Sequence, residues 1–360
     1  MNAIRRTVIA AAATLALLVP VAGTGAGFVD PVDTPAQPSA IASKGLLQSV
    51  ARAGDRLIAV GWRGHIVVSA DAGATWKQAS VPVSSDLTSI FMVDDKQGWT
   101  VGHDGVVLHT GDGGDTWELQ FDGRRANDLL VAAMERKVAA EPTSEDAKLM
   151  LAEAVRYKQQ GADKPFLDVW FADAKNGYVV GAYNLIFRTA DGGKSWEPWF
   201  DRTENPKFFN LYAIRPAGGG LYIAGEGGLV LKLDPATNRF LAQPVPYKGS
   251  FFGVVDATPA VLVFGLRGNV FRSDDAGKTW TKIDAGLPAA VVGGTVIAPK
   301  GAVVLVDAGG RAVVSDDAGR VFTKIALANP MPLTGIADAG NGRLALVGPR
   351  GVAVTAIAAR

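Results

Sequence analysis

The sequence predicts an all-β fold: a seven-bladed β-propeller with a helical-hairpin insertion between blades 2 and 3. The prediction rests on a repeated turn motif, a second repeated glycine signature, and four short apolar runs in each repeat. Four strands that recur every ~40–45 residues are typical of a propeller blade. Because one blade cannot bury both of its faces alone, neighbouring blades must stack and the ring must close.

The turn motif has the form [Ser/Thr]-x-Asp-x-Gly-x-[Thr/Ser]-Trp, and we call it the Asp box. Its copies are Ser69–Trp76, Thr110–Trp117, Thr189–Trp196, Ser273–Trp280 and the relaxed Ser315–Phe322. The Ser or Thr and the Asp favour a hydrogen-bonded turn, and Gly supplies a positive φ. The motif joins the third and fourth strands at the outer rim, so we interpret it as structural rather than catalytic or calcium-binding. The residues with this structural role are Asp71, Trp76, Asp112, Trp117, Asp191, Trp196, Asp275, Trp280 and Asp317.

The second signature, small-x-x-Gly, closes one apolar run and opens the next. Successive copies are 40 to 44 residues apart, except for a step of 79 residues from Gly102 to Gly181. Seven copies predict seven blades, and the long step predicts an insertion. The copies are Gly61–Gly64, Gly102–Gly105, Gly181–Asn184, Gly225–Gly228, Gly265–Gly268, Asp307–Gly310 and Gly348–Gly351.

The insertion, residues 126–160, has helical periodicity. Leu130, Met134 and Val138 recur at helical spacing, and Leu151 and Val155 share a face of a second segment. We expect a helical hairpin on the propeller rim. A solvated strut and a docking arm for a partner are both compatible with its mixed charges.

The first residues have the pattern of a secretory signal peptide. Arg5 and Arg6 precede an apolar run, Thr7–Val19, which is followed by small residues. We predict a signal peptide at residues 1–26 and a periplasmic or otherwise extracytoplasmic mature protein. A retained membrane anchor is the alternative, although the apolar run is shorter than the ~20 residues that span a bilayer.

The propeller is predicted to occupy residues 45–357. Its seventh repeat has only three apolar runs before the sequence ends. An unpaired strand edge favours association with another strand. We therefore expect residues 27–44 to close the last blade, with Gln37–Ala42 as its outer strand.

Composition excludes several classes of site. The chain contains no Cys and three His, which excludes disulfides, thiol catalysis and lipid attachment to Cys, and argues against a histidine-rich metal centre. The formal net charge of +1 gives no general argument for binding nucleic acid. We predict no cofactor, no metal, no small-molecule substrate and no catalytic residue.

The strings GWTVGHDGVVLHTGDGGDTW and GYVVGAYNLIFRTADGGKSW, residues 98–117 and 177–196, resemble the Asp-box (BNR) repeat proteins. Among these, the chain is most similar to the photosystem II stability and assembly factor family and its non-photosynthetic bacterial relatives. The similarity covers about residues 45–357. It implies an exported, non-enzymatic propeller that assists assembly of a membrane complex, with an arginine-rich patch on one face.

Two other functions stay open from the sequence. A glycan-binding or sialidase-like glycosidase propeller shares the Asp box, but sialidases are six-bladed and carry an Arg-Ile-Pro sequence near the start. Here the nearest string is Ile214-Arg215-Pro216 in the middle of the chain. An accessory subunit of an envelope transporter is the other alternative.

The loops between the second and third strands (B–C loops) and between successive blades (D–A loops) share one face in this blade order. Loops on a rigid ring are where such folds carry function. We therefore predict that a membrane-associated protein partner binds this face. The predicted partner-binding residues are Arg63, Arg124, Arg125, Arg202, Arg267, Arg350, Trp62 and Tyr183.

Overall fold

The structure is a computed structural model that describes residues 29–328 and 330–357. The predicted signal peptide lies outside the described residues. Seven antiparallel sheets form a ring, which confirms the predicted seven-bladed propeller. The innermost strands contact one another in sequence order, and the last of them contacts the first.

Blades 1 to 4 are four-stranded meanders that run from the central channel to the rim. Blade 1 contains β1 (Leu47–Ala53), β2 (Arg56–Gly61), β3 (Ile66–Ser69) and β4 (Lys77–Gln78). Blade 2 contains β5 (Leu87–Met92), β6 (Gly98–Gly102), β7 (Val107–Thr110) and β8 (Glu118–Phe121). Blade 3 contains β9 (Phe166–Phe171), β10 (Gly177–Gly181), β11 (Ile186–Thr189) and β12 (Glu197–Pro198). Blade 4 contains β13 (Leu211–Ala217), β14 (Gly220–Gly225), β15 (Val230–Asp234) and β16 (Arg239–Ala242).

Blades 5 and 6 repeat the four-stranded pattern, and blade 7 has three strands among the described residues. Blade 5 contains β17 (Phe251–Ala257), β18 (Ala260–Gly265), β19 (Val270–Ser273) and β20 (Thr281–Ile283). Blade 6 contains β21 (Val291–Ile297), β22 (Ala302–Asp307), β23 (Ala312–Ser315) and β24 (Thr323–Ile325). Blade 7 contains β25 (Gly335–Gly340), β26 (Arg343–Gly348) and β27 (Gly351–Ala356).

The hydrophobic core is a ring of seven clusters, each between two adjacent blades. Strand β2 shows how one strand serves two clusters. Ile58 and Val60 point towards blade 2, while Leu57 and Ala59 point towards blade 7. Side chains alternate between the two faces of a strand, so burial on both faces requires the near-continuous apolar runs seen in the sequence.

The insertion forms the predicted helical hairpin, α1 (Gly123–Ala140) and α2 (Glu145–Gln160). Leu130, Met134 and Tyr157 are buried in the cluster between blades 2 and 3. Helix α1 also contacts the B–C loop of blade 2. The hairpin is therefore packed into the seam between two blades on the loop face.

The prediction that Gln37–Ala42 adds an outer strand to blade 7 is wrong. Within the described chain this segment forms no strand, and blade 7 remains three-stranded. Residues 29–44, which we call the strap, instead cross blade 1. Val32 is buried between blades 1 and 2, and Ala42 is buried between blades 7 and 1. Side-chain burial, rather than strand pairing, joins the strap to the ring.

Candidate partner-binding face

The B–C and D–A loops form one continuous face, as predicted. In blades 1 to 6 the first residue of the B–C loop donates its backbone N–H to a carbonyl just before the blade's innermost strand, for example Trp62 to Leu46 and Leu266 to Ser250. In blades 1, 2, 4, 5 and 6 the Gly that ends the loop lies against the following D–A loop; a Cβ on Gly268 would lie 1.8 Å from the carbonyl oxygen of Leu287. These contacts fix the orientation of the B–C loops in blades 1 to 6.

The second residue of the B–C loop has a left-handed backbone conformation in five blades. Its φ is 56° at Arg63, 53° at Tyr183 and 58° at Arg267. Gly227 takes this position in blade 4 with a φ of 65°, and Asp104 takes it in blade 2 with a φ of 58°. The conformation costs a bulky residue ~1–2 kcal/mol, so Arg63, Tyr183 and Arg267 are held in place against a local preference.

Three of the six predicted arginines have free guanidinium groups. Arg63, Arg267 and Arg350 are exposed, and no hydrogen bond or ion pair to another described residue involves their side-chain nitrogens. Free guanidinium groups keep their full capacity for bidentate pairing with a carboxylate or stacking on an aromatic ring. They come from blades 5, 7 and 1.

The other three predicted arginines already have partners. Arg124 pairs with Asp122 at 2.8 Å and with Asp33 of the strap at 3.0 Å, and these carboxylates raise the pKa of its guanidinium. Arg125 donates to the Gln120 carbonyl and lies over the Phe121 ring. Arg202 pairs with Glu197 at 3.0 Å and lies over the Trp199 ring. These side chains stabilise the protein's own loops.

The acidic residues of this face are also engaged. Asp104 accepts a hydrogen bond from the Ser85 hydroxyl, Glu226 accepts one from the Asn210 backbone, and Asp201 pairs with Lys137 at 3.3 Å. Of these three carboxylates, only Asp201 is paired with a cation, whereas Asp104 and Glu226 accept from neutral donors and keep their negative charge. The three free arginines therefore lie on a face that also carries hydrogen-bonded carboxylates.

Two exposed aromatic side chains occupy B–C loops of the same face, Trp62 in blade 1 and Tyr183 in blade 3. Trp62 is 49% exposed and Tyr183 is 48% exposed. The Tyr183 carbonyl accepts a hydrogen bond from the buried Tyr157 of α2, so the helical hairpin supports this loop from below. Leu266, 37% exposed at the loop position equivalent to Trp62, adds an apolar contact that the sequence analysis did not single out.

The Asp boxes form the predicted structural turns. In blade 1, Asp71 accepts hydrogen bonds from the Ser69 hydroxyl and from the backbone and hydroxyl of Thr75. These bonds, led by that from the Thr75 hydroxyl, lower the pKa of Asp71 to about 2. All three bonds recur at Asp112, Asp191 and Asp275. Asp317 keeps those from the Ser315 hydroxyl and the Val321 backbone, and Val321 has no hydroxyl to donate a third. A carboxylate saturated in this way is poorly suited to proton transfer.

Each Asp-box Trp contacts the preceding blade, which the sequence analysis did not foresee. Trp117 of blade 2 is buried with blade 1, Trp196 of blade 3 with blade 2, and Trp280 of blade 5 with blade 4. The Asp box is therefore an inter-blade contact as well as a turn.

The central channel contains a cavity of about 200 Å³ lined by innermost-strand residues of all seven blades. Its single lining carboxylate is Asp168, which pairs with Arg215 at 2.6 Å and accepts a hydrogen bond from the Ser89 hydroxyl. Hydrolysis of glycosides usually requires two carboxylates that flank the bond. The channel lining provides no such pair among the described residues.

Within residues 29–328 and 330–357, no group of three or more His, Asp or Glu is arranged to hold a metal ion. No helix in the same two ranges is long and apolar enough to cross a membrane.

Comparison with known proteins decides the family. The sequence model of the family described as "Photosynthesis system II assembly factor YCF48" matches residues 47–147 and 147–285. The chain belongs to this family. The family is one of assembly factors rather than enzymes, in agreement with the predicted function class.

The curated relatives are distant. A photosystem II stability/assembly factor, HCF136 of Arabidopsis thaliana, is 20% identical over 256 residues, which are 62% of this chain and 63% of the relative. A photosystem II assembly lipoprotein, Ycf48 of Synechococcus sp., is 29% identical over 118 residues, 32% of this chain and 35% of the relative. The chain thus spans less than two thirds of the length of each of these two relatives.

Solved structures share the fold. A structure described as "YCF48 bound to D1 peptide" superimposes with a TM-score of 0.62 at 14% identity, covering 88% of this chain and 95% of that chain. YCF48 from Cyanidioschyzon merolae gives a TM-score of 0.61 at 15% identity, covering 89% and 97%.

Proposed function

We propose that this protein is an exported assembly factor that binds a polypeptide of a membrane-associated complex through its loop face. The observation that carries the proposal is a set of three exposed arginines, Arg63, Arg267 and Arg350, whose side chains have no partner among the described residues, on the same face as the exposed Trp62 and Tyr183. Trp, Tyr and Arg are the residue types most often found as anchors of protein interfaces.

The chemistry of this face favours an acidic or aromatic polypeptide segment. Arg63 and Arg267 are presented in a fixed backbone conformation, so little conformational entropy of the loops is lost on binding. A solved relative of the same fold is described as bound to a peptide, which supports a polypeptide as the class of ligand. Transport to the periplasm or another extracytoplasmic compartment follows from the signal peptide predicted at residues 1–26.

A charge-reversal experiment tests the proposal. Purified Arg63→Glu/Arg267→Glu protein should lose the partners that the wild type captures from solubilised membranes, with an unchanged melting temperature. Lys194→Glu/Lys278→Glu is the matched control, because both lysines are exposed on Asp-box turns away from the loop face. In-cell crosslinking followed by mass spectrometry identifies the captured proteins. Equal capture by the arginine variant and the wild type would exclude this face.

A further inference from the structure

A second binding feature lies at the edge of the loop face, between α2 and the connection from blade 3 to blade 4. It is a groove with a cavity volume of about 220 Å³. Leu149 and Met150 form its helix wall, and Phe200, Pro206 and Phe208 line its loop wall. Leu149 is 50% exposed, so the groove offers apolar surface to solvent.

The loop wall of the groove is rigidly built. Asn184 is almost fully buried, and its side-chain oxygen accepts hydrogen bonds from Thr203 and Asn205. Asn205 in turn bonds the backbone of Phe209 in both directions. Phe208 has a left-handed φ of 51° and stacks on Phe200 with ring centroids 5.3 Å apart. A buried amide network thus holds a bulky residue in an unfavourable conformation, as expected of a preformed site.

Charges on the groove define what can fill it. Asp146 is exposed on the helix wall, and no hydrogen bond or ion pair of its side chain occurs within the described chain. Glu204, on the loop wall, uses only Oε2 to accept the Ala242 N–H. The one lining cation, Arg239, donates to the Asp201 carbonyl. Each wall therefore presents a carboxylate oxygen beside apolar surface.

Among the described residues, neither Lys148 nor Lys207 forms an ion pair with Asp146 or Glu204. Lys148 pairs with Glu145 at 2.7 Å, and Lys207 lies over the Phe209 ring.

We propose that this groove binds a polypeptide segment of the partner in which a large apolar side chain is next to a Lys or Arg. The apolar side chain would cover Leu149 and Phe208, and the cation would pair with Asp146 or Glu204. Asn184 of the groove directly follows Tyr183, so a polypeptide on the loop face can extend into the groove. The inference rests on the proposed function only for the partner being a polypeptide.

Selection from a random peptide library displayed on phage tests the groove without knowledge of the natural partner. The immobilised full protein should enrich peptides with Leu, Ile, Phe or Met beside Lys or Arg. Synthetic copies should bind Leu149→Asp about tenfold or more weakly in fluorescence polarisation, because the loss of one buried apolar side chain has this magnitude. Leu129→Asp is the matched control, since Leu129 is a partly exposed leucine on α1 outside the groove.

A second variant tests whether the carboxylates of Asp146 and Glu204 select a basic residue in the peptide. Asp146→Lys/Glu204→Lys should shift enrichment from basic to acidic neighbours of the apolar side chain.

Absence of enriched peptides, enrichment of acidic or purely polar peptides by the wild type, or equal binding to Leu149→Asp would overturn the proposal. Binding of a synthetic Thr7–Val19 peptide at the groove, or self-association that Leu149→Asp abolishes, would also overturn it by assigning another occupant. The Arg63→Glu/Arg267→Glu variant should keep the selected peptides, which separates failure of the groove from failure of the loop face.

Discussion

Arg267 shows how the loop face holds one residue against its own preference. A φ of 58° raises the free energy of a residue that has a Cβ, but not that of Gly. Gly, on the other hand, loses more conformational entropy on folding. We expect Arg267→Gly to be about 0.5–1 kcal/mol more stable than Arg267→Ala in denaturant titration, while both variants lose partner capture.

Arg188 provides the control for this comparison, because it lies in strand β11 with an extended backbone. There the order should reverse, with the Gly variant less stable than the Ala variant. If Gly and Ala were equally stable at position 267, backbone conformation would not limit that loop.

Asp275 tests the Asp box through pH. Hydrogen bonds, the largest from the Thr279 hydroxyl, lower the pKa of Asp275 from 3.8 to about 2. A lowered pKa stabilises the folded protein above the unfolded-state value, and the benefit disappears as the pH falls through the folded-state value. The melting temperature of Asp275→Asn should therefore be lower than that of the wild type at neutral pH. The difference should shrink between pH 4 and pH 2 in calorimetry. A difference that does not depend on pH would contradict a charge-assisted turn.

The sequence predicted which arginines lie on this face, but not which of them form ion pairs or hydrogen bonds with the protein's own residues. Arg124 is neutralised partly by Asp33, which is 91 residues earlier in the chain. Such a pair depends on the path of the strap, and local spacing does not encode that path. Arg63 and Arg267 could be placed at loop tips because the glycine signature recurs in every blade.

At the scale of elements, a substitution of Leu130 tests whether packing of the helical hairpin against the blades stabilises the fold. It is fully buried in the cluster between blades 2 and 3. Leu130→Ala should lower the free energy of unfolding by about 2–5 kcal/mol, because the side chain leaves a cavity that rigid blades cannot fill. Urea titration measures this change. Leu129→Ala, partly exposed one residue earlier, should change it little. Equal effects of the two substitutions would mean that the hairpin is only loosely attached.

Strands were predicted more accurately than helix ends. In blade 2 the four apolar runs of the sequence, residues 87–93, 97–102, 106–110 and 117–121, match the observed strands to within one residue at each end. Helix α1 begins at Gly123 rather than at the expected Ala126. Arg124 and Arg125 are unfavourable in a first turn because of the helix dipole, and Asp122, which caps the helix, offsets this.

At the scale of the whole molecule, periodicity predicted the number of blades, but the way the ring closes was not predictable. No residue pattern in the strap distinguishes strand pairing from packing across blade 1. Its backbone contacts are few and scattered: Ala36 bonds to Val81, and Ser84 bonds to Pro31. Two further bonds involve the Gln78 side chain. The strap is also attached by the ion pair between Asp33 and Arg124 and by the buried side chains Val32 and Ala42, which belong to two different inter-blade clusters.

If the strap is attached mainly through side chains, no single strap substitution should destabilise the ring more than complete release of the strap does. Val32→Asp places a charge in a buried site, which favours release of the strap over burial of the carboxylate. We expect the rest of the ring to stay folded when the strap is released, so Val32→Asp should lower the melting temperature by the same amount as deletion of residues 29–42. Val29→Asp, at a side chain that is 63% exposed, should leave it unchanged. Combining Val32→Asp with Ala42→Asp should add nothing further in differential scanning calorimetry. Additive losses would show instead that each end of the strap is an integral part of its inter-blade core.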